Sequence, residues 1–560
     1  MQALSLPTGE TPEKPMFEDA IHTASDEIPV QASSDRDETN TLSRDAIYTC
    51  CVIAGAFLIL LLNSLQMTVV SSLSPYVTSN FGEHSLLPVI SIVSSIVTGV
   101  MQLPISRVID LYGRPQGLLA MVTLDVLGLV VMATCTTVKA YAAAQVLYYV
   151  GADGVIYIIR VFAMDRVAVR SRSMVYGASL YTYFVSPFVG PTLAQAYYKA
   201  GIWRWGFGSL AIIIPGVAFT LVFLFLWYEK RHPQPVRPGI KPQPAQPVHS
   251  SPFKAIWFHI LDLDVLGVLL ACFGIALVLL PLSLTTNRVQ EWKSGSTIAM
   301  MVMGVVCLIA LVTYERLITT RHFVDFSLLR DRLHPLSKFT ASSSTPSLWW
   351  SYYTSFLQVV HYRSIRDAGY ILNTHQVGSA FFSVLTGFLL RYTRRFRSVN
   401  LVGVAITTLG TGLMVHYSYP DSNFGGVVGC HILIAISSGI LTASEVAAVL
   451  NGRDDGSVSM RVALLFVFSY IGAAIGSTIA TPVWRTRFPH LLSKYLPAEL
   501  QDQANTIFGS LTVQLSYARG TPAREAIIRA MCETWRYLII ASIATLALAW
   551  DANSSEAVSP

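Results

Sequence analysis

The chain has 560 residues, of which 52% are hydrophobic and 13% charged, with a formal net charge of +6 and a mean hydropathy of +0.51. A soluble domain carries about 25% charged residues, and the apolar residues here gather into runs of roughly the 20 needed to cross a bilayer as helix. Composition therefore excludes a soluble protein and predicts an all-α integral membrane protein. The basic surplus lies in loops and carries no nucleic-acid reading. Seven cysteines, with Cys50 and Cys51 adjacent and no C-x-x-C among them, read as packed apolar residues.

In chain order, residues 1–45 are polar and acidic, without the basic and apolar regions of a signal peptide, and predict a disordered cytosolic tail. Fourteen spans follow: 47–70, 86–106, 117–137, 141–163, 175–197, 208–228, 263–284, 297–315, 346–362, 372–390, 399–417, 425–449, 460–481 and 534–550. They compose a six-helix bundle over 46–228, two extra helices over 263–316 and a second six-helix bundle over 346–550. A Pro-rich cytosolic linker fills 229–262, a cytosolic loop 317–345, a long outer loop 482–533 and a short tail 551–560. Arg107, Arg114, Arg166, Arg170, Lys230, Arg321 and Arg394 all follow even-numbered spans, so the positive-inside rule places both termini in the cytosol.

Span two runs into Pro104-Ile-Ser-Arg-Val-Ile-Asp-Leu-Tyr-Gly-Arg114. Its Asp110, Gly113 and Arg114 match the loop that follows span two in major facilitator transporters; Ser106 and Leu111 depart from it. A carboxylate at a helix end pairs with arginines and a neighbouring helix N-terminus, so the motif reads as a conformational latch, or else as a charged turn. Gly190-Pro191 in span five resembles the facilitators' helix-packing motif, and Trp203-Arg-Trp-Gly206 follows.

Further stretches narrow the likeness: Gln66 to Phe81, Tyr141 to Gly151, Phe356-Leu-Gln-Val-Val with Ala368-Gly-Tyr-Ile371, Ile471-Gly-Ala-Ala-Ile-Gly476, and Ile507-Phe-Gly-Ser510 with Gly520-Thr-Pro-Ala-Arg524. In this order they resemble the fungal siderophore–iron transporters, a fourteen-span branch of the major facilitator superfamily. The resemblance implies two six-helix bundles rocking about a central cavity. It implies proton-coupled uptake of a ferric siderophore chelate, by a monomer in the plasma membrane or an endosomal vesicle membrane. Iron would arrive already chelated, so no cofactor and no protein metal site is expected, and His361, His375 and His431 are not read as an iron site. No G-x-x-x-x-G-K-[ST] loop is present for an ATP motor. A proton-driven exporter of drugs or secondary metabolites stays open, because fourteen-span drug antiporters share the latch and the Trp-Arg-Trp. No G-x-S-x-G or H-E-x-x-H favours an enzyme.

Charges inside a membrane are costly and face a cavity or a partner. Glu445, Asp153 and Arg160 are the proton-coupling candidates, with an Asp153–Arg160 ion pair as the structural alternative; Asp125 reads as a packed polar group. His431 precedes Glu445 by about four turns and is expected on the same face. Gln66, Tyr76, Tyr149, Tyr370 and Tyr517 are the candidate chelate contacts, against the ordinary aromatic belt at span ends. The ninth span departs from the family. Lys338-Phe-Thr-Ala-Ser-Ser-Ser-Thr-Pro-Ser347 is polar, Pro346 is expected to break the helix, and little apolar length remains up to His361. With the abrupt end near Trp550, this predicts a faulty gene model or a disabled chain.

Overall fold

The computed structural model describes residues 28–80, 87–165, 172–231, 264–284, 293–317, 326–393, 395–420, 422–450 and 458–554, and among them there are helices and turns but no strand. Contacts divide the chain after Ala54. As described, the first unit is the N-terminal part of α1 (Ile28–Asn80). Residues 28–45, expected to be unstructured, are therefore helical. Extending a helix adds one bond per residue fixed, so a nucleated span propagates into a polar flank.

In the second unit, the first bundle continues with α2 (Leu87–Leu111), α3 (Arg114–Thr134), α4 (Val138–Asp165), the short α5 (Arg172–Ala178), a 3-10 turn (Ser179–Phe184), α6 (Ser186–Lys199) and α7 (Trp205–Arg231). Pro187, in the first turn of α6, stands where the expected fifth span divides into these short pieces, and α6 continues through Pro191. The extra pair is α8 (Val265–Leu284) and α9 (Gly295–Leu317). The second bundle holds α10 (Phe326–Val359), α11 (Ile365–Thr393), α12 (Phe396–His416), α13 (Phe424–Leu450), α14 (Val458–Tyr495), the short α15 (Ala504–Gly509) and α16 (Leu511–Ser516), and α17 (Pro522–Ser554). The proline-rich stretch from 232 to 263 lies outside the described residues.

Three boundaries differ from the sequence reading. The loop expected at 317–345 is helical from Phe326, and α10 runs on to Val359. Pro346 does not break it: neighbouring helices and Ser/Thr side chains re-satisfy the backbone groups that a proline frees in a membrane helix. The outer loop expected at 482–533 is shorter, because α14 continues through Pro482 and Pro489 to Tyr495 and α17 starts at Pro522.

In the first bundle α3 packs along α4 and α7; in the second α10 packs on α14 and α17, and α13 on α11 and α12. The two bundles meet along α2–α14 and along α6–α11, and α8 leans on α2 and α14. Backbone-close crossings need glycine: a Cβ on Gly128 would stand 2.5 Å from the Tyr148 nitrogen, and one on Gly151 would stand 2.2 Å from the Asp125 nitrogen. Gly190 meets Thr68 Oγ1 at 2.0 Å in the same sense, and Gly369 meets Pro191 at 2.6 Å. Gly190-Pro191 thus packs α6 against α1 on one side and α11 on the other.

Ten described helices are long and apolar enough to cross a membrane. Their outward residues are apolar, as on α9, where Ile298, Val302, Val305 and Ile309 are exposed. α10, α11 and α17 are not among the ten; their sequences are diluted by polar residues, of which Ser344, Thr345, Asn373, Ser383, Thr534 and Ser542 are buried.

Candidate functional site

Polar residues of α10, α12 and α13 enclose a cavity of about 340 Å³ in the second bundle. Residues three and four apart share a helix face. On α12, Asn400, Thr407 and Thr411 form one stripe; on α13, Ser437, Ser438, Thr442 and Glu445 form another. The polar turn of α10 supplies Ser342, Ser343, Thr345 and Ser347 around Pro346. The segment read as a defect in the ninth span is thus a cavity wall. Ten Ser and Thr side chains line the space with Asn400, His375, Tyr176 and Ser469's neighbour Ala473, and Glu445 is the single charged residue among the described lining.

The wall is cross-braced. Ser342 Oγ donates to Glu445 Oε2 at 3.3 Å, Thr407 to Ser437 at 2.8 Å and Asn400 Nδ2 to Ser444 at 3.0 Å, while Ser343 and Ser469 hydroxyls lie 3.0 Å apart. Hydroxyls both donate and accept, so this surface can hold a polar guest by hydrogen bonds without supplying positive charge.

Beyond the cavity the same bundle closes in aromatic rings. Trp349 lines the cavity and stands edge-on to Trp535, whose other neighbours Tyr353 and Phe356 stack at 5.6 and 4.6 Å. His431 is fully buried here, its ring 4.8 Å from Tyr353 and its Nε2 3.2 Å from the Leu372 carbonyl, to which it donates in the tautomer that carbonyl requires. It does not itself line the cavity, although Ile434, Ser438 and Glu445, at helical spacing from it, do; His375 lines it too. His361 sits in the link after α10 against Phe356 and Phe424. Burial, and then the Arg363 charge, push its pKa down from 6.5 to about 4.

In the first bundle, Asn63 Nδ2 donates to the Ala152 carbonyl at 2.8 Å, and Gln66 Nε2 reaches Asn63 at 3.3 Å and both Asp125 oxygens at 3.0 and 3.2 Å. Asp153 accepts from the Tyr470 hydroxyl of α14. Arg160 Nε donates to Ser179 at 3.1 Å and Nη1 to Tyr176 at 3.4 Å, over whose ring the guanidinium lies at 4.9 Å. The Asp153–Arg160 ion pair is therefore not formed: each residue is held by a different partner.

Of the latch residues, Asp110 ties the two bundles at one end, while Arg114 and Gly113 act within the first bundle. Asp110 accepts from Ser459 Oγ at the start of α14, and Tyr157 of α4 donates to the Ser459 carbonyl at 2.6 Å. Arg114 Nη2 pairs with Asp165 at 2.7 Å. Gly113, φ 98°, makes the turn between α2 and α3 in a conformation that favours glycine. Arg204, from the Trp-Arg-Trp segment, caps α3 by donating to the carbonyls of Ala133 and Cys135 at 3.0 and 2.8 Å.

The opposite end is tied as well. Tyr76 donates to Gln358, the Thr192 and Tyr370 hydroxyls lie 2.7 Å apart, and Leu511 N donates to Ser79 at 3.2 Å. Arg524 is 2% exposed, donates to the carbonyls of Gln514 and Val359, and lies with Arg519 over the Tyr362 ring. Its burial lowers its pKa from the ordinary guanidinium range. Of the expected chelate contacts, Gln66 faces Asp125, Tyr76 and Tyr370 bridge the bundles, Tyr149 packs on Tyr148 at 5.0 Å, and Tyr517 packs at the edge of the aromatic core. None of the five lines the cavity. The sequence reading missed the hydroxyl stripes, although Ser437–Ser438–Thr442–Glu445 carries the helical spacing in plain view.

Two helical bundles tied to each other at both ends, the second enclosing a polar cavity, have the architecture of a facilitator. The profile of the Major Facilitator Superfamily matches residues 56–330. A bacterial homologue of the human lysosomal transporter Spinster, solved inward-facing and unoccupied, superposes with a TM-score of 0.54 at 16% identity, over 90% of this chain and 96% of that one. The protein is a multi-pass membrane transporter, not an enzyme.

Within that class, MFS siderochrome iron transporter 1 of Ajellomyces capsulatus is 37% identical over 89% of this chain and 84% of its own length. MFS siderochrome iron transporter D of Aspergillus fumigatus is 34% identical over 94% and 88%. Siderophore iron transporter 1 of Schizosaccharomyces pombe is 34% identical over 90% and 81%. The chain belongs to this fungal siderophore–iron transporter family of the major facilitator superfamily.

Proposed function

We propose that the protein takes up ferric siderophore chelates by alternating access, coupled to protons. The observation that carries this is kinship along the whole chain with transporters named for that cargo, the first at 37% identity. The cavity fits the reading. Hydroxamate chelates are polar, rich in carbonyl and amide groups and, as tris-complexes of ferric iron, uncharged, and the hydroxyl-lined wall has no described cation to select an anion. In alternating access the contacts at the two ends break in turn, Asp110–Ser459 at one and Tyr76–Gln358 at the other. The polarity of basic loops puts the Asp110 end in the cytosol. Glu445 on the cavity wall and Asp153 at the α4–α14 contact are the groups positioned to register protons. The chelate is the cargo of a monomer in the plasma membrane or an endosomal vesicle membrane, with both termini cytosolic and the iron never released to protein ligands.

The test is uptake of radio-iron on a panel of siderophores in a yeast lacking its own carriers, with and without a protonophore. Protonophore-sensitive accumulation of at least one chelate is expected, with Glu445→Gln cutting it. Efflux of a dye without chelate uptake, in cells with verified expression, would replace this reading with an exporter.

A further inference from the structure

The first bundle buries a carboxylate that the site above does not use. Asp125, on α3, is 1% exposed. Its donor is the Gln66 amide of α1, whose Nε2 spans both carboxyl oxygens at 3.0 and 3.2 Å. No Lys, Arg or His among the described residues stands within ion-pair distance of it. The titratable groups facing it come from α4: Asp153 and the Tyr148 hydroxyl. On α14, Tyr470 directs its hydroxyl to Asp153. Arg160 is engaged by Ser179 and Tyr176, and Arg204, beside α7, binds carbonyls at the far end of α3. From α2, packed on α3, the buried polar residues are Ser94, Thr98, Gln102 and Ser106, which do not titrate.

A charge without a counter-ion at this depth is costly, and a carboxylate so placed takes up a proton instead. The Gln66 amide supports the acid form independently. Its Oε1 is buried without a donor, and a turn of the amide would let that oxygen accept from an Asp125 O–H. A carboxylic acid and a primary amide satisfy each other with two hydrogen bonds; a carboxylate accepts from the amide nitrogen and leaves the oxygen orphaned, which a buried group rarely tolerates. Gly151 lets the α4 backbone close on that of α3 beside it, where a Cβ would stand 2.2 Å from the Asp125 nitrogen.

We infer that Asp125 is a proton-binding site of this transporter, holding its proton while the first bundle is packed as here, with Gln66 as the clamp that recognises the acid. The step makes and breaks one O–H bond. The proton is taken up when the Gln66–Asp125 contact closes, and passes to Asp153 or to water when it opens. Its part in a transport cycle rests on the uptake reading; the protonation itself does not.

The test is infrared spectroscopy of the purified full chain in lipid nanodiscs across mildly acid to mildly alkaline pH, paired with the radio-iron uptake assay. The carbonyl stretch of a protonated carboxylic acid is expected in the wild type at neutral pH and lost in Asp125→Asn, while Asp153→Asn keeps it. Uptake by Asp125→Asn falls by about tenfold or more and loses its dependence on external pH, and Asp125→Glu restores part of both. Should Asp125→Asn fail to reach the membrane, Gln66→Leu keeps the carboxyl and removes its clamp, and is expected to shift the band. A wild type without an Asp125-dependent band at neutral pH, a band unmoved by Gln66→Leu, or uptake by Asp125→Asn with the wild-type pH profile each overturn the inference. A wild type that shows the band but takes up no chelate sinks the uptake reading and leaves the proton site standing.

Discussion

At the residue scale, what distinguishes the polar groups of this protein is the company each keeps. Asp153 and Arg160, two turns apart on α4, suggest an ion pair by their spacing, yet Tyr470 takes one and Ser179 with Tyr176 the other. Spacing along a helix says which residues share a face, not which neighbouring helix supplies the partner. His361 shows the same dependence on surroundings in a measurable form. Packed against Phe356 and Phe424, it titrates in the folded protein at about 4 instead of 6.5. Its neutral form is the one the fold accepts, so the unfolded chain binds more protons between those values, and stability falls as pH drops through that window. The melting temperature of the purified protein is expected to fall less on acidification in His361→Asn than in the wild type. Parallel curves for the two would show that His361 does not contribute.

At the element scale, glycine decides where helices touch. Gly151 puts α4 against the α3 backbone at Asp125, where a Cβ would stand at 2.2 Å, whereas a Cβ on Gly216, in α7, would meet nothing within 4 Å. Gly151→Ala is therefore expected to lose roughly 1–3 kcal/mol by forcing the crossing apart. Gly216→Ala should be neutral or gain up to about 1 kcal/mol from helix propensity. Thermal unfolding in detergent separates them, and equal effects would discount the crossing. α10 makes the complementary point. Its serine-rich turn reads as too polar to span, because hydropathy counts residues without knowing which way they face, and Ser342, Ser343, Thr345 and Ser347 face a cavity. The expectation of a broken ninth span fails for that reason: the helix continues through Pro346 to Val359.

At the scale of the whole molecule, ties between the bundles occur at both ends, Asp110–Ser459 and Tyr157–Ser459 at one, Tyr76–Gln358 and Thr192–Tyr370 at the other. Ser459 is the shared acceptor and donor of the first set, so Ser459→Ala, which removes the hydroxyl that Asp110 holds, should favour opening at that end. A cysteine at Ser438, on the cavity wall, reports it. In a background cleared of reactive native cysteines, an impermeant thiol reagent applied from the Asp110 side is expected to label Ser438→Cys several-fold faster when Ser459→Ala is added. An unchanged rate would mean that the other contacts of α2 and α14 hold this end closed alone.

Much of this was determined by the sequence alone. Runs of about twenty apolar residues allow only membrane helices, since a bilayer leaves no other way to satisfy the backbone. The order of the motifs from Gln66 to Arg524 identified the family, and the motif around Gly113 and Arg114 contains Asp110, which ties the bundles through Ser459. The tertiary structure decided everything that depends on facing. Asp110 finds Ser459, 349 residues away, and the hydroxyls of α10, α12 and α13 converge on one space. Gln66, read as a chelate contact, reaches Asp125, 59 residues away. A helix fixes its own side chains relative to one another by local geometry, but the neighbour each face meets is set by packing between distant segments, which leaves no mark in local sequence.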